Sequence, residues 1–207
     1  MLTTQHMEFV VFDVGTTGLS VVDGDRIIEI AAMKIKDGAI IDKFYSLVNP
    51  GRSIPEAASR VNNITDDMVA QAPISGDVLP RLVDFIGGAC VAGHNVRFDL
   101  SFLCYELSRI NRKLNESTPV VDTLKMSRDL LPYLSNHKLS YLSRSLGVVV
   151  GETHRAMADV ELTVQVLIRL MGMAQEKKMH KVTEFLTNYG VEKPAYKFVT
   201  VSQTSLF

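Results

Sequence analysis

The chain has almost no net charge: 22 lysines and arginines stand against 23 aspartates and glutamates, for a balance of −1. That excludes a large basic face for long stretches of duplex. A nucleic-acid partner stays open if bound metals supply positive charge locally. There are only two cysteines, Cys90 and Cys104, in apolar stretches and without CxxC or zinc-like spacing, so they read as buried free thiols of a reducing compartment. No apolar run approaches the roughly 20 residues of a membrane span. The first eight residues, Met-Leu-Thr-Thr-Gln-His-Met-Glu, lack the basic-then-apolar order of a signal peptide. The expected location is cytoplasmic. Internal repeats and low-complexity tracts are absent. Ser140, Ser143 and Ser145 lie outside any Gly-x-Ser-x-Gly pattern, which argues against a nucleophile-elbow hydrolase.

What is present describes an ordinary globular chain, 46% hydrophobic and 22% charged over 207 residues, enough for one well-buried domain and a short appendage. Residues 8–14 form an apolar run rich in β-branched and aromatic side chains and read as a buried strand. Two further strands, 26–36 and 39–49, meet at Asp37-Gly38, a hairpin signal. Helices are expected near 55–60, 65–70, 76–87, 96–110, 122–131, 138–145 and 155–175, with short strands near 89–93 and 119–121. The fold class is α/β, one mixed sheet flanked by helices. The polar run Gln175-Glu176-Lys177-Lys178 places a boundary near residue 172. Beyond it, a short helix over 180–188 and a tail make a C-terminal extension covering 173–207.

Three segments carry chemistry. Asp13 lies at the expected end of the first strand, followed by Val14-Gly15-Thr16-Thr17-Gly18-Leu19. A carboxylate beside a tight Gly/Thr turn can project next to backbone N–H groups that hold a phosphate or terminal hydroxyl near a metal. It can equally do no more than cap the turn. Gly93-His94-Asn95-Val96-Arg97-Phe98-Asp99 sets a second carboxylate just inside a helix, where a plain first-turn acid is the alternative. His154-Arg155-Ala156-Met157-Ala158-Asp159 spaces a loop histidine to reach over a carboxylate on the following helix. Such a histidine can serve as general base for a metal-bound water, although a surface histidine beside a solvated aspartate has the same spacing.

In this order the three segments resemble the DEDDh, or DnaQ-like, 3′–5′ exonucleases, which include the proofreading epsilon subunit of bacterial replicative DNA polymerase. The resemblance spans roughly residues 8–172, and Asp-Arg-Ile-Ile-Glu-Ile-Ala-Ala (25–32) and Val120-Val121-Asp122-Thr123 also fit it. It implies an RNase H-like mixed β-sheet and two Mg²⁺ or Mn²⁺ ions about 4 Å apart flanking the scissile phosphate. Asp13 would bridge both ions, Asp159 would hold the one carrying the attacking water, and Asp99 would orient the other through water. His154 would take the proton. Thr16, Thr17 and Gly18 would hold the terminal nucleotide, Leu19 would pack on its base, and His94, Asn95 and Phe98 would line the pocket or brace the helix start.

One position departs from the pattern. The second residue after the first aspartate is a metal-binding glutamate in the family, and here it is Gly15. The loss of one negative ligand predicts weaker metal binding, unless water fills the position or Glu29 on the second strand substitutes. The glycine is therefore compensated, disabling or introduced. At the C-terminus, Gln203-Thr204-Ser205-Leu206-Phe207 resembles the Gln-x-x-Leu-Phe peptide that docks on the bacterial β sliding clamp, with Gln203, Leu206 and Phe207 as anchors. Three functions compete. The first is a proofreading-type exonuclease on DNA 3′ ends with a polymerase and clamp as partners. The others are a catalytically impaired DNA-end or clamp-binding module and an RNA 3′-end exonuclease of the same superfamily.

Overall fold

A computed structural model describes residues 3–148 and 155–197. Five strands form a mixed sheet: β1 (Phe9–Thr16), β2 (Ile27–Lys36), β3 (Ala39–Leu47), β4 (Cys90–Gly93) and β5 (Val120–Asp122), in the order β3-β2-β1-β4-β5. The β1–β2 and β2–β3 pairs are antiparallel, and β1–β4 and β4–β5 are parallel. The β2–β3 hairpin turns at Asp37 and Gly38, both at positive φ (49° and 76°), as the twist of a tight hairpin demands.

Side chains of a strand alternate between faces, and β1 uses this to seed two cores. Val10, Phe12 and Val14 face a cluster completed by Leu79, Leu82 and Ile86 of α3 (Ser75–Ile86) and Leu100, Leu103 and Leu107 of α4 (Arg97–Arg109). Phe9 and Val11, with Ala31 and Met33 of β2, face the opposite cluster. There Met126 of α5 (Thr123–Leu130), Leu142 of α6 (Leu139–Ser145) and Val160, Val164 and Leu167 of α7 (Ala156–Glu176) close the other side. Two short helices, here α1 (Glu56–Asn62) and α2 (Asp66–Val69), follow β3.

The boundary expected at residue 172 falls inside α7, which continues to Glu176. The polar run is the last exposed turn of that helix and the bend after it, because Ala174 beside it stays buried. The expected helix beyond is α8 (Val182–Tyr189), whose Phe185 and Tyr189 are fully buried in the second cluster. The chain then crosses the β5 edge, where Val191 N–H donates to Val120 O at 2.9 Å. The described part of the extension is thus packed onto the sheet rather than appended to it. Cys90 and Cys104 are unpaired, and burial pushes their thiols up to about 12 and about 11. Among the described residues no helix is long and apolar enough to cross a membrane.

Candidate active site

The site follows from a mismatch in strand length. Asp13 does not end its strand: β1 runs three residues further to Thr16, paired with β2 throughout and bulged between Gly15 and Thr16. Its parallel pairing with β4, however, stops at Val11↔Ala92. Beyond that point β1 and β4 no longer pair, and the crevice outside the carboxyl ends of parallel strands is the usual place for a ligand in an open α/β sheet. Asp99, in the first turn of α4, enters it and accepts the Val14 N–H at 3.1 Å. That bond satisfies a strand amide that β4 does not reach. Asp159 arrives in the first turn of α7, the helix that packs on both β1 and β2.

The charges of Asp99 and Asp159 both reach Asp13. Asp13 is held well above the usual carboxylate range, first by burial and then by repulsion from Asp99, Asp159 and Glu29. Asp99 is pushed up to about 7, chiefly by burial, with Asp122 and Asp159 adding to it and the Val14 N–H opposing. Like charges gathered in a poorly solvated crevice are costly until a cation joins them. The donor set therefore fits a divalent metal by charge and by its hard oxygen atoms. Among the described residues no three His, Cys, Asp or Glu side chains are already gathered tightly enough to enclose an ion. His154 lies outside the described residues, as do Gln203, Leu206 and Phe207.

The expected nucleotide-holding residues divide. Thr16 and Thr17 are buried and fold the loop itself: Thr16 Oγ1 donates to Gly18 O at 2.6 Å, and Thr17 Oγ1 donates to Asp25 Oδ1 at 3.1 Å. Asp25 also accepts the Ser20 N–H at 3.1 Å and faces Arg52 at 3.7 Å. Gly18 is required beside this clasp, since a Cβ there would fall 2.2 Å from the Asp25 carboxylate. Leu19, next along the loop, is 85% exposed.

His94 does not present its ring to the crevice. Nδ1 lies 2.9 Å from Thr123 Oγ1 and Nε2 donates to His137 O at 2.9 Å, and burial lowers its pKa. Its ring ties the β4–α4 turn to Thr123 and to the segment before α6. Asn95 is exposed at positive φ (60°), with its N–H on Asp122 Oδ1 at 2.9 Å. Phe98 is half-buried against Phe102.

Glu29 sits directly across the β1–β2 ladder from Gly15, yet it is no free substitute ligand. Its Oε1 accepts from Tyr45 Oη (2.9 Å), Arg155 Nε (2.9 Å) and Arg155 Nη2 (2.7 Å), and its Oε2 accepts the Ala156 N–H at 3.0 Å. Its oxygens already accept from four donors, which argues against the substitution considered for it. A Cβ at Gly15 would stand 3.1 Å from Glu29 Cβ and 3.7 Å from Asn62 Oδ1. Asn62, anchored by Nδ2 to Thr16 O at 2.9 Å, thus reaches the gap left by Gly15. Sequence reasoning missed Asn62, Asp25 and the Arg155–Glu29 pair. Arg155 carried a signal inside the third motif, and Asp25 and Glu29 inside the stretch 25–32 that fits the family, whereas Asn62 carried none.

A mixed sheet whose central strand brings an acid into a crevice with acids from two flanking helices defines an RNase H-like nuclease fold. The family model described as Exonuclease (RNase_T) matches residues 10–167, and the chain belongs to that family. It is 43% identical over 189 residues to the PolC-type DNA polymerase III of Oceanobacillus iheyensis, covering 91% of this chain and 13% of that protein. It is 38% identical over 182 residues to the same enzyme of Bacillus subtilis, covering 88% and 13%. The chain therefore spans about an eighth of these relatives. Among solved structures it resembles exonuclease X in complex with 5′ overhanging duplex DNA, at 28% identity and TM-score 0.65, covering 81% of this chain and 93% of the other.

Proposed function

We propose that the chain is a metal-dependent 3′–5′ exonuclease of the proofreading type, acting on DNA 3′ ends in association with replication in the cytoplasm. The observation that carries this is the approach of Asp99 and Asp159 to Asp13 at the carboxyl end of β1, where both raise its carboxyl and Asp99 accepts the Val14 N–H. Its polymerase relatives and the DNA-bound exonuclease X support DNA as the substrate.

Asp13, Asp99 and Asp159 would hold the Mg²⁺ or Mn²⁺ ions, two in number. When bound, the ions supply an activated water and neutralise the phosphate in the transition state. Leu19 packs on the terminal base, and the Asp25 clasp keeps it at the rim. Asn95 and Phe98 line the far wall, and His94 keeps the α4 start in register through Thr123 and His137. His154 takes the proton from the attacking water, and nucleoside 5′-monophosphates leave. Gln203, Leu206 and Phe207 dock the chain on the β sliding clamp beside a DNA polymerase. Residues 173–207 serve as the extension that carries this peptide.

A second reading has a specific observation behind it. Gly15 lacks the ligand side chain and Glu29 is already occupied, which favours a binding module of weakened activity. The deciding experiment is trimming of a 3′-labelled mismatched primer with Mn²⁺ or Mg²⁺, run beside an RNA 3′ end. Cutting of DNA that drops about 10²–10³-fold in Asp159→Ala supports the enzyme. Silence that Gly15→Glu relieves by about tenfold or more supports the impaired module. Silence in both proteins overturns the exonuclease reading, and faster trimming of RNA moves the substrate.

A further inference from the structure

We infer that Glu29 is a positioning residue for the catalytic end of α7, working through Arg155, Tyr45 and the Ala156 amide; this rests on the exonuclease reading above. Glu29 is 1% exposed, and a buried carboxylate survives only where donors surround it. Four donors do so here, and they come from two elements: Tyr45 on β3, and Arg155 and Ala156 at the start of α7. Arg155 Nη2 also donates to Tyr45 Oη at 2.9 Å, closing a three-membered cluster.

The beginning of a helix carries unpaired N–H groups, which a capping side chain from the preceding residue normally satisfies. Arg155, at the N-cap of α7, has no acceptor to offer, and its side chain makes no capping bond. Glu29 supplies the acceptor from another strand, with a negative charge that favours a helix N-terminus. Asp159 stands one turn further on, with its N–H donating to Arg155 O at 3.1 Å. The path from β2 to the metal-facing acid is therefore short: Glu29, then Arg155 and Ala156, then the single turn that holds Asp159.

Position 15 is coupled to this clamp. The glycine lets β1 and β2 close so that a Cβ there would meet Glu29 Cβ at 3.1 Å, tighter than ordinary contact.

The test compares the full chain with Glu29→Ala, Glu29→Gln and Tyr45→Phe. In metal-free protein, amide hydrogen exchange at residues 156–160 is expected to speed up about tenfold or more in Glu29→Ala, with β1 and β4 amides unchanged. With primer and Mn²⁺, kcat falls about 10- to 100-fold while KM for the 3′ end moves little. The Mn²⁺ half-saturation, read by electron paramagnetic resonance, rises in parallel. Glu29→Gln keeps an acceptor for Ala156 and recovers part of both losses; Tyr45→Phe gives a smaller loss of both. Unchanged exchange at 156–160 and unchanged kcat in folded Glu29→Ala overturn the inference. If that variant does not fold, unchanged exchange in both milder variants does so. Should the parent protein neither bind Mn²⁺ nor cut, the exonuclease reading fails, while the exchange at 156–160 still decides the clamp.

Discussion

Glu29 and Asp13 are carboxylates on neighbouring strands, two ladder positions apart, and the fold treats them in opposite ways. Glu29 is met by a guanidinium, a phenol and a helix amide. Asp13 is met by the charges of Asp99, Asp159 and Glu29. Glu106 on α4 follows the Glu29 pattern: it is 1% exposed and bound by Arg26 through Nε at 2.5 Å and Nη2 at 2.8 Å. The contrast separates charges that the architecture needs from charges kept for a ligand. The first kind is neutralised from within, and the second is left for something from outside to neutralise.

Breaking the matched kind has the largest expected effect on stability. Arg26→Ala strands Glu106 without its partner and should cost about 3–5 kcal/mol, read by urea unfolding. A loss below about 1 kcal/mol would place Glu106 with the unmatched acids.

Asp13 and Asp99 should reveal themselves through pH. Asp99 titrates near about 7 in the folded chain, against 3.8 ordinarily. As pH rises from about 4 to about 7 the unfolded chain gives up this proton while the folded chain keeps it, so folding loses stability, on the order of a few kcal/mol. The metal-free melting temperature should therefore fall between about pH 5 and about pH 8, and Mn²⁺ should flatten that fall. Asp13→Asn should flatten it without metal. A profile already flat in the metal-free protein would mean that the acids do not burden one another.

The smallest effect belongs to the rim. Leu19 is 85% exposed, so Leu19→Ala should leave stability within about 0.5 kcal/mol and raise KM for a 3′ end by about 10-fold or less. An unchanged KM in steady-state trimming would remove Leu19 from the substrate surface.

The sheet was legible because its signals are local. The apolar run 8–14, the Asp37-Gly38 turn and the apolar period of 76–87 are each written within a few neighbouring residues, and strands and helices stand where these place them. Asp13, Asp99 and Asp159 were legible through the spacing of three motifs. What escaped depends on partners far apart in the chain. His94 reads as a pocket residue until Thr123 and His137 occupy its ring. Glu29 reads as a spare ligand until Arg155 arrives from 126 residues away. The break at 175–178 looked like a domain edge because an exposed helix turn and a linker share the same polar composition.

The second core has a consequence for the order in which the molecule is made. The β1–β3 meander consists of neighbours in sequence and can form as soon as it is synthesised. Its face of Val11, Ala31 and Met33 waits for α7 and for Phe185 of α8, from the far end of the chain. Until those helices dock, that face is bare and vulnerable to association with other chains, and Asp159 is absent from the crevice. Asp13, Asp99 and Asp159 are thus brought together only after α7 has been made and has docked.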